Sequence, residues 1–297
     1  MIENAEAVAR VLSANTPGEA TTEPVLSDAL AIAVASPGRM VRAGLVMAAA
    51  NGHGLKASTA EQLACALEYW HQASLILDDL PCMDDAELRR GLPCLHRTHG
   101  ESTAILAALS LINRAYALVQ RAFLRESVDV RQQACELVDT ALGAAGILCG
   151  QAWDLRFSRG PRAPREVGRI AWRKTGALLG LALTLPLLPS GAWPREKRAL
   201  NALAVYWALA YQAMDDLLDV SAPVGGSGKT AGRDAALSRP NLTIALGAPL
   251  ARSRIARLLR LADLQVERLR HRDGKWTFLA DWHERLLMSR YRMFIAA

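Results

Sequence analysis

Two aspartate clusters, each closing an apolar helical run, constrain this chain more than any other feature. Asp78-Asp79-Leu-Pro-Cys-Met-Asp84-Asp85 follows the run from Ala73 to Leu77, and Asp215-Asp216-Leu-Leu-Asp219 follows the run from Val205 to Met214. Carboxylates set against apolar helix faces are costly to bury without a counter-charge, so the fold has to bring cations to both places. Oxygen donors of this kind suit a hard divalent ion, and Mg²⁺ usually completes its shell with water and substrate phosphates. The first expectation is a diphosphate held between two acidic rims.

The spacing within each cluster sharpens this. Asp215 and Asp219 are i and i+4, so on a helix they share a face and repel each other without a cation, while Asp216 turns to a neighbouring side. Pro81 comes three residues after Asp78, so the chain leaves regular helix there and lets Asp84 curl back toward Asp78. Basic residues surround both clusters: Arg89-Arg90 after the first, Lys174-Thr175 at the start of an uncharged helix, and Lys229 in Gly-Ser-Gly-Lys-Thr after the second. Guanidinium and ammonium groups can neutralise phosphate oxygens directly while metals bridge others. The Gly225 to Thr230 stretch fails the Gly-x-x-x-x-Gly-Lys-[Ser/Thr] phosphate-loop pattern, because position 223 is Pro, and it follows a helix.

The rest of the chain reads as helix. Apolar periodicity places helices over about 2–13, 25–36, 38–51, 58–79, 102–125, 129–156, 165–185, 195–220, 241–271 with a break at Gly247-Ala248-Pro249, and 276–294. No run of alternating β-branched residues argues for a strand. Breaks fall at 15–24, 81–100, 158–164 and 221–240, the last rich in Gly and Ser and read as a lid or a disordered segment. No composition shift marks a boundary, so one all-α domain over 1–297 is expected, a bundle of about ten or more helices around a deep cavity with polar chemistry between facing helices.

Other features narrow the class. The uncharged stretch from Thr175 to Pro194 is interrupted by Pro186, Pro189 and Gly191, which makes it a buried core helix ending near Leu185 rather than a membrane span. The N-terminus lacks the basic region and apolar core of a signal peptide, and five cysteines without a CxxC pair suit reduced thiols, so a cytoplasmic location is expected. The net charge of +6 concentrates in the arginines from 252 to 272, spaced as a solvated helix face, with no aromatic interleaving of the kind a nucleic-acid binder shows.

Ser74-Leu-Ile-Leu-Asp-Asp-Leu-Pro-Cys-Met-Asp-Asp-Ala-Glu-Leu-Arg-Arg-Gly-Leu-Pro, with Tyr211-Gln-Ala-Met-Asp-Asp-Leu-Leu-Asp, resembles the trans-isoprenyl diphosphate synthases, or polyprenyl synthetases, in particular the bacterial geranylgeranyl diphosphate synthases of carotenoid pathways. The likeness extends from about Gly38 to Gly247. It implies the isoprenoid synthase fold, a homodimer, and Mg²⁺, three ions with substrate bound. Asp78, Asp79 and Asp84, with Asp215, Asp216 and Asp219, would hold the metals that grip an allylic diphosphate. Arg89, Lys174, Thr175, Gln212 and Lys229 would contact the same diphosphate, and Arg39, Arg42, His71 and Arg90 would bind isopentenyl diphosphate, which takes no metal.

Some positions depart from the family pattern. Gly38-Arg39-Met40-Val41-Arg42-Ala43 stands where relatives have Gly-Lys-Arg-x-Arg-Pro, Arg239 stands where they have a lysine and is expected to bind substrate by the charge it keeps, and position 77, often His, is Leu. His96 and His99 could mimic a metal pair but follow Pro93 in an expected loop, which favours a structural role. The reaction implied is ionisation of the allylic diphosphate and head-to-tail coupling to isopentenyl diphosphate. Product length would depend on residues four and five before Asp78, roughly 6 to 8 Å along the helix, which are the small Ser74 and Ala73, with Trp70 a further turn down. A C20 product is expected, with a C15 product as the alternative. A catalytically silent subunit and a terpene cyclase are lesser alternatives, since the residues after Asn241 do not supply the cyclase metal motif.

Overall fold

The computed structural model describes residues 5–19, 21–35, 38–157, 163–191, 193–221 and 239–296. Lys229 and nearly all of the segment expected as a lid lie outside them. Helices dominate, and the chain packs as two compact units, residues 1–51 with 55–131, and residues 52–54 with 132–297.

In the first unit, helix Ala57–Asp78 lies along helix Glu101–Ala122. Four alanines make the approach close: Ala104, Ala107, Ala108 and Ala115, with Leu111 and Leu118, form one helical stripe and are almost fully buried. The other helix is buried all round from Leu63 to Trp70. The N-terminal helix Ala5–Ala14 is tied on by Tyr69, whose hydroxyl donates to the Leu12 carbonyl at 2.6 Å. Arg114 Nε reaches the Asn15 carbonyl at 3.0 Å.

The 81–100 segment, expected as a loop, holds two small elements. A hairpin pairs Leu88–Arg89 with Leu92–Pro93, in register Leu88 to Pro93 and Arg89 to Leu92. Its turn is Arg90-Gly91, both at positive φ (57° and 82°), as a tight two-residue hairpin turn requires. Helix Leu95–His99 follows. Strands of two residues carry no readable alternation, which is why periodicity passes over them.

In the second unit the 29-residue helix Trp193–Ser221 packs along Ala248–Arg272. Trp207, Leu200, Leu203 and Met214 bury one face, with Ile255, Leu259, Ala262 and Leu269 on the partner helix. Trp207 Nε1 donates to His283 Nδ1 at 3.0 Å, giving the buried indole its acceptor. The uncharged stretch is core, as expected: helix Ala177–Thr184 passes into a 3-10 turn, Leu185–Leu187, with Leu178, Leu181, Leu183, Leu185 and Leu187 buried.

Three expected helices are divided. The run expected over 129–156 becomes Val128–Leu142 and Ile147–Leu155. The break falls at Gly146, where a Cβ would overlap the carbonyl oxygens of Ala141 and Thr140. The run expected over 165–185 is Pro164–Ala171 followed by a π-helical turn, Trp172–Gly176, and the C-terminal run contains another, Glu284–Met288. A π turn inserts one residue without changing the apolar content, so a 3.6-residue pattern cannot reveal it, although such turns gather at functional sites. Among the described residues one helix, Glu101–Ala122, is long and apolar enough by length and composition to cross a membrane.

Candidate active site

The first aspartate cluster is shaped by its own backbone. Helix Ala57–Asp78 ends at Asp78, and the N–H of Asp84 returns to the Asp78 carbonyl at 3.0 Å. Asp85 N–H bonds the Leu80 carbonyl and Ala86 N–H the Asp79 carbonyl, closing the loop that Pro81 opens. Asp84 therefore does fold back toward Asp78. Asp79 is buried and carries Arg89, whose Nε lies 3.1 Å from both carboxylate oxygens while Nη2 also bonds Oδ1. Burial works against the Arg89 charge, and the hydrogen bonds and charge of Asp79 outweigh it, so its pKa lies above the ordinary value. Asp85, at φ 46°, is spent on an exposed pair with Arg97 at 2.8 Å.

The residues expected to take isopentenyl diphosphate gather in the same unit. Gly38 has φ 71°, and a Cβ there would overlap the Arg90 guanidinium, so the guanidinium takes its place beside Gly38 because position 38 has no side chain. Burial, then Arg42, Arg90 and Arg89, holds the His71 pKa well below its usual value, so the ring is neutral. Glu68, one turn earlier and buried, joins this group without having been foreseen. Burial pushes its carboxyl up to about 7 against the pull of Arg42, the Ala43 N–H and Arg90. A buried glutamate in an apolar helix three residues before His71 was the available signal.

The residues expected to set chain length lie on the same helix. Ala73 is 1% exposed and Ser74 is half-buried, its hydroxyl donating to the His71 carbonyl at 2.8 Å. That bond satisfies the hydroxyl locally. Trp70 meets Tyr116 edge to face, with centroids 5.2 Å apart. His99 bonds Asp28 at 2.9 Å, and His96 is buried within the short helix, so neither joins the acidic cluster.

The second unit arranges its residues around three carboxylates, Asp154, Asp216 and Asp215. Lys174 Nζ donates to Asp154 Oδ2 at 3.0 Å, and Arg239 Nη1 stands 3.8 Å from the same oxygen. Asp154, 8% exposed, is a second residue the sequence reading passed over. Gly150 makes the arrangement possible, since a Cβ there would lie 2.7 Å from the Lys174 backbone nitrogen. Thr175 donates to Gln212 Oε1 at 3.1 Å, and Gln212 Nε2 passes the bond to Asp216 Oδ1 at 2.9 Å. Asp216 Oδ2 accepts the Leu242 N–H at 2.7 Å, and Asn241 Nδ2 donates to the Asp216 carbonyl at 3.2 Å. Asp216 thus faces the helix Leu242–Leu246, away from the stripe shared by Asp215 and Asp219, as the spacing requires. Asp215 pairs with Arg290, a third unforeseen residue, whose guanidinium lies 4.8 Å from the Tyr211 ring centroid.

Among the described residues no three His, Cys, Asp or Glu side chains converge as a ready-made metal cage. Mg²⁺ needs none, since one or two carboxylates with water and phosphate oxygens complete its shell. Each motif by itself offers donors of that kind: carboxylates at 78 and 84 in the first, with Asp84 folded back on Asp78, and at 215 and 219 in the second.

The profile of the polyprenyl synthetase family matches residues 23–267. A geranylgeranyl diphosphate synthase of Pseudescherichia vulneris is 35% identical over 248 residues, 82% of this chain and 78% of that protein. The farnesyl diphosphate synthase of Escherichia coli K12 is 37% identical over 237 residues, 78% of each chain. Among solved structures, a geranyltransferase from Helicobacter pylori complexed with magnesium and isoprenyl diphosphate superposes with a TM-score of 0.83 at 25% identity, covering 97% of this chain and 95% of that one.

Proposed function

This chain belongs to the polyprenyl synthetase family and is a prenyltransferase, and on that premise we propose that it condenses isopentenyl diphosphate with an allylic diphosphate, dependent on Mg²⁺, to give geranylgeranyl diphosphate. The observation that carries the reading is the first motif, where Asp84 returns to Asp78 and Arg89 is anchored on the neighbouring Asp79, so carboxylates for a metal and a cation for phosphate share one loop.

Asp78, Asp84, Asp215 and Asp219 would hold Mg²⁺, three ions with substrate bound, while Asp79 and Asp216, expected as ligands too, have both carboxylate oxygens engaged, by Arg89 and by Gln212 and the Leu242 N–H, and would position the motifs. The metal supplies Lewis-acid neutralisation of the diphosphate charge. Arg89, Lys174, Thr175, Gln212 and Lys229 bind the allylic diphosphate and stabilise the negative charge that grows on it as the C1–O bond ionises. Asp154 holds Lys174 and Arg239 by charge. Arg39, Arg42, Arg90 and neutral His71 orient isopentenyl diphosphate so that its double bond attacks the allylic cation. A proton then leaves to the released diphosphate. Apolar walls exclude the water that would quench the cation, and the Ser74 hydroxyl is already committed to a backbone carbonyl. The small size of the side chains at 73 and 74 is the ground for a C20 chain, with the Trp70–Tyr116 pair a candidate floor.

We also infer a cytoplasmic homodimer whose subunits each use residues 1–297 as one isoprenoid synthase domain. Support for the dimer is helix Glu101–Ala122, on which Ile105, Leu106, Leu109 and Tyr116 are 39–52% exposed, since neighbouring exposed apolar side chains suit an interaction surface. The five free cysteines support the cytoplasm. The farnesyl alternative is kept because a farnesyl diphosphate synthase is as similar as the geranylgeranyl enzymes. Incubation with isopentenyl diphosphate, Mg²⁺ and a C5, C10 or C15 primer decides. Geranylgeranyl diphosphate as the main product is expected, accumulation of C15 would select the alternative, and no condensation would mark a silent subunit.

A further inference from the structure

We propose that Arg290 is a built-in counter-ion for Asp215 that sets how readily the second aspartate motif takes up Mg²⁺. The inference rests on the reading of Asp215 as a metal ligand. Two contacts hold the guanidinium: its ion pair with Asp215 Oδ1 and the face of Tyr211, 4.8 Å from Cζ to the ring centroid. Asp215 and Tyr211 are i and i+4 on helix Trp193–Ser221, so one turn of helix presents both to the same cation. The arginine comes from helix Ser289–Ala296, directly after the π turn Glu284–Met288. Its side chain is 13% exposed, against 36% for Asp215.

These surroundings make the pair more than a surface contact. A guanidinium largely removed from water and seated on an aromatic face is not idly exchanged with solvent. A carboxylate oxygen that accepts from a guanidinium gives less of its charge to a metal, and a fixed positive charge a few ångströms away repels a divalent ion directly. Mg²⁺ arriving at Asp215 must therefore displace Arg290 or bind against its charge. A diphosphate supplies anionic oxygens enough for both cations and lifts that conflict. Arg290 thus acts through Asp215 as a positioning residue that makes metal uptake at this motif depend on the anionic substrate, and keeps bare Mg²⁺ from loading first.

The test follows melting temperature against Mg²⁺ concentration, with Mg²⁺ alone and with inorganic diphosphate added, in the wild type, Arg290→Gln, Arg290→Lys and the Arg290→Gln/Asp215→Asn pair. Circular dichroism checks the fold. With Mg²⁺ alone, Arg290→Gln should reach half-saturation at roughly tenfold lower Mg²⁺ than the wild type. Arg290→Lys, which restores the charge, should stay near the wild type, and the double variant should lose the gain. Added diphosphate should narrow the gap between wild type and Arg290→Gln. A lower baseline melting temperature in Arg290→Gln with unchanged half-saturation would mean that the arginine only braces the helix, and would overturn the inference while leaving the metal reading intact. A wild type whose melting ignores Mg²⁺ both with and without diphosphate would instead defeat the metal reading, and this inference with it.

Discussion

Lys174 and Asp154 stand 3.0 Å apart where helix Ile147–Leu155 meets the π turn Trp172–Gly176. Arg239 approaches the same carboxylate at 3.8 Å, so one buried anion organises two cations expected at substrate. Asp154→Asn removes that shared charge. It should lower stability by about 2 kcal/mol, measured by denaturant unfolding, and raise KM for the allylic diphosphate while KM for isopentenyl diphosphate holds. Equal effects on the two substrates would show that Asp154 serves the fold alone.

Substitution of the lead aspartates tests the metal chemistry. Asp78→Ala and Asp215→Ala should each lose roughly a hundredfold or more in turnover while keeping helical circular dichroism. Mg²⁺-dependent condensation at near wild-type rate in either variant would sink the metal assignment.

Product length is predicted to answer to Ala73. It is 1% exposed on helix Ala57–Asp78, five residues before Asp78. Ala73→Phe should shift the main product from C20 to C15, read by mass spectrometry of the dephosphorylated alcohols. An unchanged C20 product would place the growing chain elsewhere.

Glu68 gives the stability of the protein a pH signature. Its folded pKa, about 7, lies above the ordinary 4.5, so the folded state holds the proton more tightly than the unfolded chain does. That contribution is fully present below pH 4.5 and is lost as pH rises through 7, a fall of about 3 kcal/mol. Glu68→Gln cannot titrate and should gain on the wild type across this window in denaturant melts. Parallel curves from pH 5 to 8 would mean that Glu68 is not buried as described.

Gly38→Ala tests the seat of Arg90. The positive φ of 71° strains any L side chain, by about 1 kcal/mol, and the new methyl would occupy space now filled by the guanidinium. KM for isopentenyl diphosphate should rise severalfold with the allylic KM little changed. The reverse pattern would detach Arg90 from isopentenyl diphosphate.

What could be read from the sequence divides along physical lines. The long helices are legible because their apolar residues recur with the helical period, as at Ala104, Ala107, Ala108 and Leu111. The return of Asp84 to Asp78 is legible because Pro81 forces the chain out of helix. Asp154 and Arg290 are not, because each is a single charge in a helix whose partner is distant in sequence. Only packing reveals that Asp154 faces Lys174 twenty residues on, or that Arg290 reaches Asp215 across 75. The π turns escape for a related reason, since one added residue alters phase and leaves composition untouched.

The hairpin at 88–93 has a consequence for how this protein can vary. Loops ordinarily tolerate added or lost residues, yet here adjacent arginines go to different places, Arg89 to the Asp79 carboxylate and the Arg90 guanidinium to the space beside Gly38. A two-residue turn leaves no slack between them, and a one-residue insertion or deletion in a strand exchanges its faces. The segment between the first aspartates and helix Leu95–His99 is therefore fixed in length, and variation among functional descendants of this chain should appear there as substitution, never as a gap.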